Sequence, residues 1–99
     1  MYEAKIELEV TAGFEGNYQN RIKQEVYEES CDEIDCSIEV KKMFTGNEQI
    51  EPSRMEIYLT ATNLDYFKHI INLLIKMFKD KAKLVYSNTE LKLKKFEES

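Results

Sequence analysis

The single histidine, His69, is the residue type that gains or loses its charge near neutral pH, so it is the first candidate for acid–base chemistry. It falls within a helical pattern over 64–80, on a polar stripe that also holds Asp65 and Asn72, where a solvated imidazole needs no special role. The carboxylates occupy alternate strand positions or one side of a helix, which is typical of a solvated surface. The sequence therefore predicts no catalytic residues and a protein that is not an enzyme.

Two glycines, Gly13 and Gly16, lie between a predicted strand and a predicted helix, where backbone amides can bind phosphate. A phosphate loop would also need Lys and Ser or Thr, and Glu15 instead brings a negative charge to the turn. The same glycine spacing holds RNA in KH domains, but basic residues are absent from the intervening positions, which are Phe14 and Glu15. We expect a tight strand-to-helix turn and no cofactor site.

Cys31 and Cys36 form a C-x4-C pair, and His69 is the only other soft metal ligand in the chain. A structural zinc site needs four ligands, so the sequence predicts no metal. We expect ordinary reduced thiols, with a local disulfide as the remaining alternative. Because the first residues do not resemble a secretory signal, the predicted compartment is the cytoplasm.

Charge is unevenly distributed along the 99 residues. The chain has 14 Lys plus Arg against 19 Asp plus Glu, giving a net charge of −5, but residues 1–50 carry −7 and residues 51–99 carry +2. A net acidic chain argues against direct nucleic-acid binding, which needs a surplus of positive charge. The most apolar run, 64–78, is interrupted by charged residues, so it does not predict a membrane span.

The elements that must position these residues follow from periodicity. Alternating apolar residues predict strands over 2–10, 36–44, 55–61 and 82–86, and helical spacing predicts helices over 18–34 and 64–80. Asn17 offers a cap for the first helix. A phase slip over 42–44 indicates a bulge or an early strand end, and the polar residues 45–53 read as a wide connection. Ser87 and Asn88 predict a turn into a further strand over 89–93, before a frayed tail at about 95–99.

This order predicts a single α+β domain over 1–99 with the β-α-β-β-α-β arrangement. The compact solution is an antiparallel-dominated sheet with both helices on one face, a ferredoxin-like two-layer sandwich whose last strand doubles into a hairpin. The other face should be open and mostly acidic. Tyr58 is its one predicted aromatic residue, so it is a poor platform for stacking RNA bases.

The second helix carries a wide apolar surface. Its apolar residues cover an arc of about 200°, against about 100° for an ordinary surface helix. Its flanks must therefore meet the first helix, a partner protein or a second copy of the chain. The first helix carries an acidic outer side. The predicted partner-binding residues are Tyr66, Leu73, Ile75 and Met77 on the second helix, and Glu25, Glu28, Glu29 and Asp32 on the first.

Three stretches, AKIELEV, MEIYLTATNLDYFKHIINLLIKMF and KAKLVYSNTELKL, give the chain a pattern that resembles small effector-associated domains of the constant component type in bacterial conflict systems. The resemblance implies a non-enzymatic adaptor, in a bacterium or a phage, that couples effector and sensor proteins. It carries over no functional residues.

The leading hypothesis is therefore a noncatalytic protein-interaction or regulatory adaptor domain that binds another protein or forms a homodimer. An alternative is an acidic inhibitor that covers the basic site of a nucleic-acid-binding protein with Glu25, Glu28, Glu29, Asp32 and Glu33. A third hypothesis is a small-ligand-binding domain with a pocket between the first helix and the sheet.

Overall fold

The structure is a computed structural model that describes residues 1–11, 13–46 and 48–89, with only the backbone described at 43–45 and 48–52. Its elements, in chain order, are β1 Tyr2–Val10, α1 Glu15–Ser30, β2 Ile34–Thr45, β3 Glu48–Ala61, α2 Leu64–Phe78, a 3-10 turn Lys79–Lys81 and β4 Ala82–Ser87. The predicted further strand over 89–93 lies mostly outside the described residues, and the predicted frayed tail lies wholly outside them.

The four strands form one antiparallel sheet in the order β2-β3-β1-β4. β1 is central because it pairs with β3 on one side and with β4 on the other. Both helices pack on the same face of this sheet. The arrangement is the predicted ferredoxin-like α+β sandwich.

The core lies between the helices and the sheet. Every second residue of β1 and β3 points into it, as the period-two pattern predicts. Ile22 and Val26 of α1 fill it from above, together with one side of α2. The buried strand residues are Ala4, Ile6, Leu8 and Val10 on β1 and Met55, Ile57, Leu59 and Ala61 on β3.

The first helix begins and ends earlier than the predicted 18–34. It starts at Glu15, where Phe14 occupies the N-cap without a side-chain cap, so the predicted cap at Asn17 is wrong. The Glu15 carboxylate instead accepts hydrogen bonds from the Gly13 amide at 2.9 Å and from the buried Ser53 hydroxyl at 2.7 Å. This buried contact ties the first turn of α1 to β3.

The end of α1 is set by two residues in the left-handed region. Cys31 and Asp32 have φ values of 50° and 66°, which stop the helix after Ser30 and reverse the chain. Ile34 continued the helical apolar spacing in sequence, but it begins β2, where it pairs with Ala61 and is buried. Strand pairing thus overrides the helical period at this point.

The β2–β3 connection is tighter than the predicted one. Thr45 pairs with Glu48, so the residues 45–53, predicted as a loop, belong mostly to the two strands. The predicted bulge is confirmed, since the register shifts between Lys41 and Met43. Lys41 pairs with Arg54 and Met43 with Ile50, which places Pro52 within the irregular stretch of β3. A strand tolerates proline at such a position.

The second helix begins where predicted. Asn63 is its N-cap, and the Asn63 side chain accepts a hydrogen bond from the Tyr66 amide at 3.1 Å. The helix ends at Phe78, followed by the 3-10 turn that leads into β4. Asn88 then forms two hydrogen bonds with Glu3 of β1. The Asn88 side-chain oxygen accepts a hydrogen bond from the Glu3 amide at 2.8 Å, and the Asn88 backbone amide donates one to the Glu3 carbonyl at 3.0 Å.

Both cysteines are free thiols, in different surroundings. Cys31 is exposed at the end of α1, whereas Cys36 of β2 faces the helices. Burial raises the pKa of the Cys36 thiol to about 11, against a small opposing effect of Lys23. The thiolate is the reactive form of cysteine. Burial therefore lowers the reactivity of Cys36 in two ways: it limits the access of reagents to the sulfur, and it reduces the fraction of thiolate.

We expect iodoacetamide at about pH 8 to alkylate Cys31 in the folded protein at least about tenfold faster than Cys36. Mass spectrometry of Cys31→Ser and Cys36→Ser would assign the two rates, and the same reaction in denaturant is the control, where the rates should converge. Equal rates in the folded protein would contradict the buried position of Cys36.

Candidate interaction surfaces

The apolar flanks of α2 pack against the core. Fully or nearly fully buried residues of the helix are Phe67, Ile70, Ile71, Leu74 and Phe78. The predicted flank residues Tyr66, Leu73, Ile75 and Met77 are half-buried against them. The rings of Phe78 and Tyr18 of α1 lie 5.8 Å apart, so part of the wide arc meets α1. Binding of a partner by the four flank residues stays a prediction.

Apolar side chains that the fold leaves exposed were missed in the sequence. The spacing of Ile22, Val26 and Tyr27 predicts one apolar stripe on the first helix, but Tyr27 is 62% exposed. It follows the buried Val26 by one position, and one position rotates a side chain by about 100° around a helix. This rotation turns Tyr27 away from the buried side of the helix, and it could have been calculated from the sequence. On β4, Val85 and Tyr86 are also exposed.

Acidic residues gather where α1 ends. Glu28 and Glu29 lie in its last turn, and Asp32 and Glu33 lie in the turn that follows; we call these four residues the acidic end of α1. All four are exposed, whereas Glu25, one turn earlier, is half-buried. The structure thus brings together three of the four predicted acidic partner residues with Glu33.

The acidic end opposes the electrostatics of its own helix. A helix C-terminus carries a partial negative charge and favours cations, yet the last turn of α1 has no basic residue. His69 of α2 contacts this end from the neighbouring helix, with its Nε2 atom 3.4 Å from the Glu29 Oε2 atom. His69 is exposed, as the sequence predicted, and its ring also reaches α1.

A shallow cavity of about 180 Å³ opens beside this acidic end. Its walls come from the turn after α1, the start of β2, the end of β3 and the N-terminus. The lining residues are Met1, Asp32, Glu33, Asp35, Thr60, Ala61 and Thr62. Three carboxylates and two hydroxyls make it a place for cationic or hydrogen-bond-donating groups.

On the open face of the sheet, Glu56 is the centre of a charge network. Its direct neighbours across the strands are Glu7 on β1 and Glu39 on β2, so three glutamates stand in one row. Like charges directly opposite one another repel. Glu56 instead pairs diagonally, with the Lys5 ammonium at 2.6 Å and the Lys41 ammonium at 3.0 Å.

This network leaves Glu56 95% buried beneath its own partners. The hydrogen bond from Lys5, and next that from Lys41, lower the pKa of the Glu56 carboxyl to about 2. The Tyr58 hydroxyl lies 3.4 Å from the same carboxylate. The alternation of β3 puts Glu56 on this face, but the sequence does not display its diagonal pairing, because that depends on the strand register.

Among the described residues, two tyrosines lie on the open face: Tyr58 on β3, and Tyr86 on β4, which pairs with Lys5 and is 53% exposed. The Lys5 ammonium lies 5.6 Å from the centre of the Tyr58 ring, which is half-buried. A ring covered in this way offers little surface for stacking a nucleobase. Tyr86 is not covered in this way, so the absence of direct nucleic-acid binding stays a prediction.

The glycine turn before α1 behaves as predicted. Gly13 has a φ of 93°, which glycine adopts without strain. Its amide donates to the Glu15 carboxylate, so this amide is already engaged by an anionic group of the chain itself.

Over the described ranges, no three or more His, Cys, Asp or Glu side chains are grouped to hold a metal ion. Within that same portion of the chain, no helix is both long and apolar enough to cross a membrane.

We expect the Glu56 network to make stability depend on acidic pH. The folded protein holds the pKa of Glu56 at about 2, below its ordinary value of 4.5. The contribution of this carboxylate is therefore fully present above about pH 4.5 and is lost as the pH falls through about 2. In urea unfolding, the difference between wild type and Glu56→Gln should shrink across that window.

The matched control is Glu9→Gln, which removes an exposed carboxylate from β1 without touching the contacts of Glu56. The difference in free energy of unfolding between wild type and Glu9→Gln should not shrink as the pH falls. A wild-type-to-Glu56→Gln difference that stays constant over this pH range would contradict the network.

We expect Glu28→Lys to stabilise the protein by about 0.3–1 kcal/mol at low ionic strength, because it places a cation at the C-terminus of α1. Glu3→Lys on β1 makes the same charge change away from helix ends and separates this effect from the change in net charge. Equal gains in the free energy of unfolding for both variants, or a loss for Glu28→Lys, would argue against an electrostatic conflict at the acidic end.

No protein-family model matches the chain, and no curated protein matches it by sequence. Among solved structures it is similar to the periplasmic divalent cation tolerance protein CutA from Archaeoglobus fulgidus, at 10% identity, with 91% of this chain and 88% of that chain covered and a TM-score of 0.43. A likeness at this level carries no conclusion about function, and the ferredoxin-like assignment rests on the strand order and the placement of the helices.

Proposed function

We propose that this chain is a noncatalytic protein-interaction domain that docks the acidic end of α1 onto a basic segment of another protein. The single observation that carries the proposal is the concentration of exposed carboxylates at a helix terminus that disfavours them. Local conflicts of this kind concentrate at functional sites, because a stability-driven sequence would remove them.

The surroundings of the acidic end support a basic partner. The cavity beside it adds the Asp35 carboxylate and the hydroxyls of Thr60 and Thr62, which accept hydrogen bonds from ammonium and guanidinium groups. The exposed carboxylates concentrate potential on one end of the molecule, and such potential accelerates encounter with an oppositely charged partner.

Two narrower hypotheses remain as forms of the same proposal. The adaptor hypothesis places the basic segment on an effector or sensor protein, in the cytoplasm. The inhibitor hypothesis places it at the nucleic-acid site of the partner. For the inhibitor, Glu25 contributes less than the sequence predicted because it is half-buried, and Glu29 is partly engaged by His69.

A first test uses a fluorescein-labelled peptide of alternating Lys and Ser as the probe, with an alternating Glu and Ser peptide as the sign control. Fluorescence anisotropy at low ionic strength should detect binding of the basic peptide alone. Glu28→Lys/Glu33→Lys should weaken that binding at least about tenfold, and added salt should weaken it in the wild type.

The matched control is Glu3→Lys/Glu9→Lys, which makes the same change in net charge on exposed positions of β1. It should retain most of the binding. If both double variants lose affinity equally, the peptide senses net charge only, and the docking site proposed at the acidic end is wrong.

A further inference from the structure

β2 is an edge strand with an unusually regular outer side. It pairs with β3, and the described residues place no strand on its other side. From Ile34 to Lys41 its register is unbroken, without a bulge or a proline. Proteins normally protect a long regular edge, because its free backbone groups are a template for another strand.

Among the described residues, the opposite edge is shorter and more interrupted than the regular stretch 34–41 of β2, in which Lys41 is the one lysine. β4 has six residues, and its pairing with β1 shifts register between Lys5 and Ile6. Lys83 adds a charged residue to this short strand. Short length, a bulge and lysine are the usual devices that block edge pairing. The contrast singles out β2 as the edge available for pairing.

The charge order of β2 is self-complementary. An antiparallel pair of two β2 strands about a two-fold axis beside Ile38 sets Ile38 against its own copy. Asp35 then lies opposite Lys41 of the second copy, and this pair occurs twice. Ser37 lies opposite Glu39, so the register contains no like-charge pair on the open face.

Neighbouring registers are less favourable. An axis beside Ser37 sets Asp35 against Glu39, and an axis beside Glu39 sets that residue against itself, which opposes like charges. An axis beside Val40 opposes Glu39 and Lys41, but it extends the ladder into the irregular stretch between Lys41 and Met43. The register about Ile38 keeps the ladder within the regular part of β2.

The Lys41 ammonium can contact Glu56 of its own chain and Asp35 of the second copy at the same time. It lies 3.0 Å from Glu56 Oε1, and its side chain is 58% exposed. An ammonium has three donors, so a carboxylate on the outer side of β2 can accept another. Asp35 of the second copy stands at that side.

The helices leave room for this pairing. In an ideal two-layer sandwich, two helices packed about 10 Å apart over four strands spaced about 4.8 Å put the outer helix about 2 Å inside the edge strand, and α1 is the helix that contacts β2. A second β2 at about 4.8 Å then sets the two α1 axes about 9 Å apart, which is the distance of packed helices. The α1 flank above the edge carries Lys23, which acts electrostatically on Cys36. Tyr27 lies one turn further on this flank and is 62% exposed.

We infer that β2 pairs antiparallel with β2 of a second copy of this chain about a two-fold axis beside Ile38, joining two four-stranded sheets into one. The pairing covers the half-buried apolar residues Cys36, Ile38 and Val40 at the edge and part of Tyr27. The pairing engages Asp35, which also lines the cavity beside the acidic end of α1, and it does not use the four residues of the acidic end.

The test is sedimentation equilibrium of the full chain over a wide concentration range. The wild type should approach twice its mass of 11.7 kDa. Asp35→Lys sets Lys against Lys41 twice and should raise the dissociation constant about tenfold. Glu39→Lys, the same change on the same face of β2, lies opposite Ser37 and should leave the constant nearly unchanged.

A wild type that stays monomeric throughout overturns the inference. Equal weakening by Asp35→Lys and Glu39→Lys overturns the register about Ile38. As an independent measurement, Ile38→Cys in a Cys31→Ser/Cys36→Ser background should oxidise to a covalent dimer, and Val40→Cys in that background should do so far more slowly. Equal cross-linking by the two would also overturn the register.

Discussion

The burial of one face of β1 is the constraint on which the rest of the structure depends. β1 is central in the sheet, and Ala4, Ile6, Leu8 and Val10 fill the core beneath both helices. Strict alternation then sends every other β1 side chain to the opposite face, where Lys5 and Glu7 lie. A shift of one residue in the pairing of β1 would exchange the two faces, so the core fixes the register of the whole sheet.

The charged face follows from that register. Once Glu7, Glu56 and Glu39 are aligned in one row, the central carboxylate must find compensation along the diagonals. Lys5 and Lys41 provide it, and their stems cover Glu56 so that a charged residue becomes almost fully buried on a nominally open surface. Lys41 thereby links this network to the free edge of β2.

The acidic end of α1 and the β2 edge are neighbouring surfaces with different physical origins. The acidic end is an electrostatic feature, because carboxylates stand at a helix terminus that disfavours them. The β2 edge is a backbone feature, because its hydrogen-bonding groups lack a strand on one side among the described residues. A basic protein segment suits the first surface, and a second copy of the chain suits the second.

Alternation and helical spacing in the sequence were sufficient to predict the ferredoxin-like order, the burial of β1 and β3, and the start of α2. These features depend on local periods of 2 and 3.6 residues, which a sequence displays directly. The boundaries of α1 could not be predicted in the same way. Glu15 finds Ser53 only after β3 is in place, and Ile34 fits a helical stripe as well as it fits a strand.

The candidate surfaces divide along the same line. The sequence by itself determined that acids line one side of the first helix and that the second helix is apolar over a wide arc. Only the tertiary structure decided that Tyr66, Leu73, Ile75 and Met77 are half-buried, that Tyr27 is exposed, and that Glu56 is held by two lysines. The physical reason is that exposure and pairing depend on which elements lie side by side, and residues far apart in the chain are brought together only by the sheet register and the helix packing.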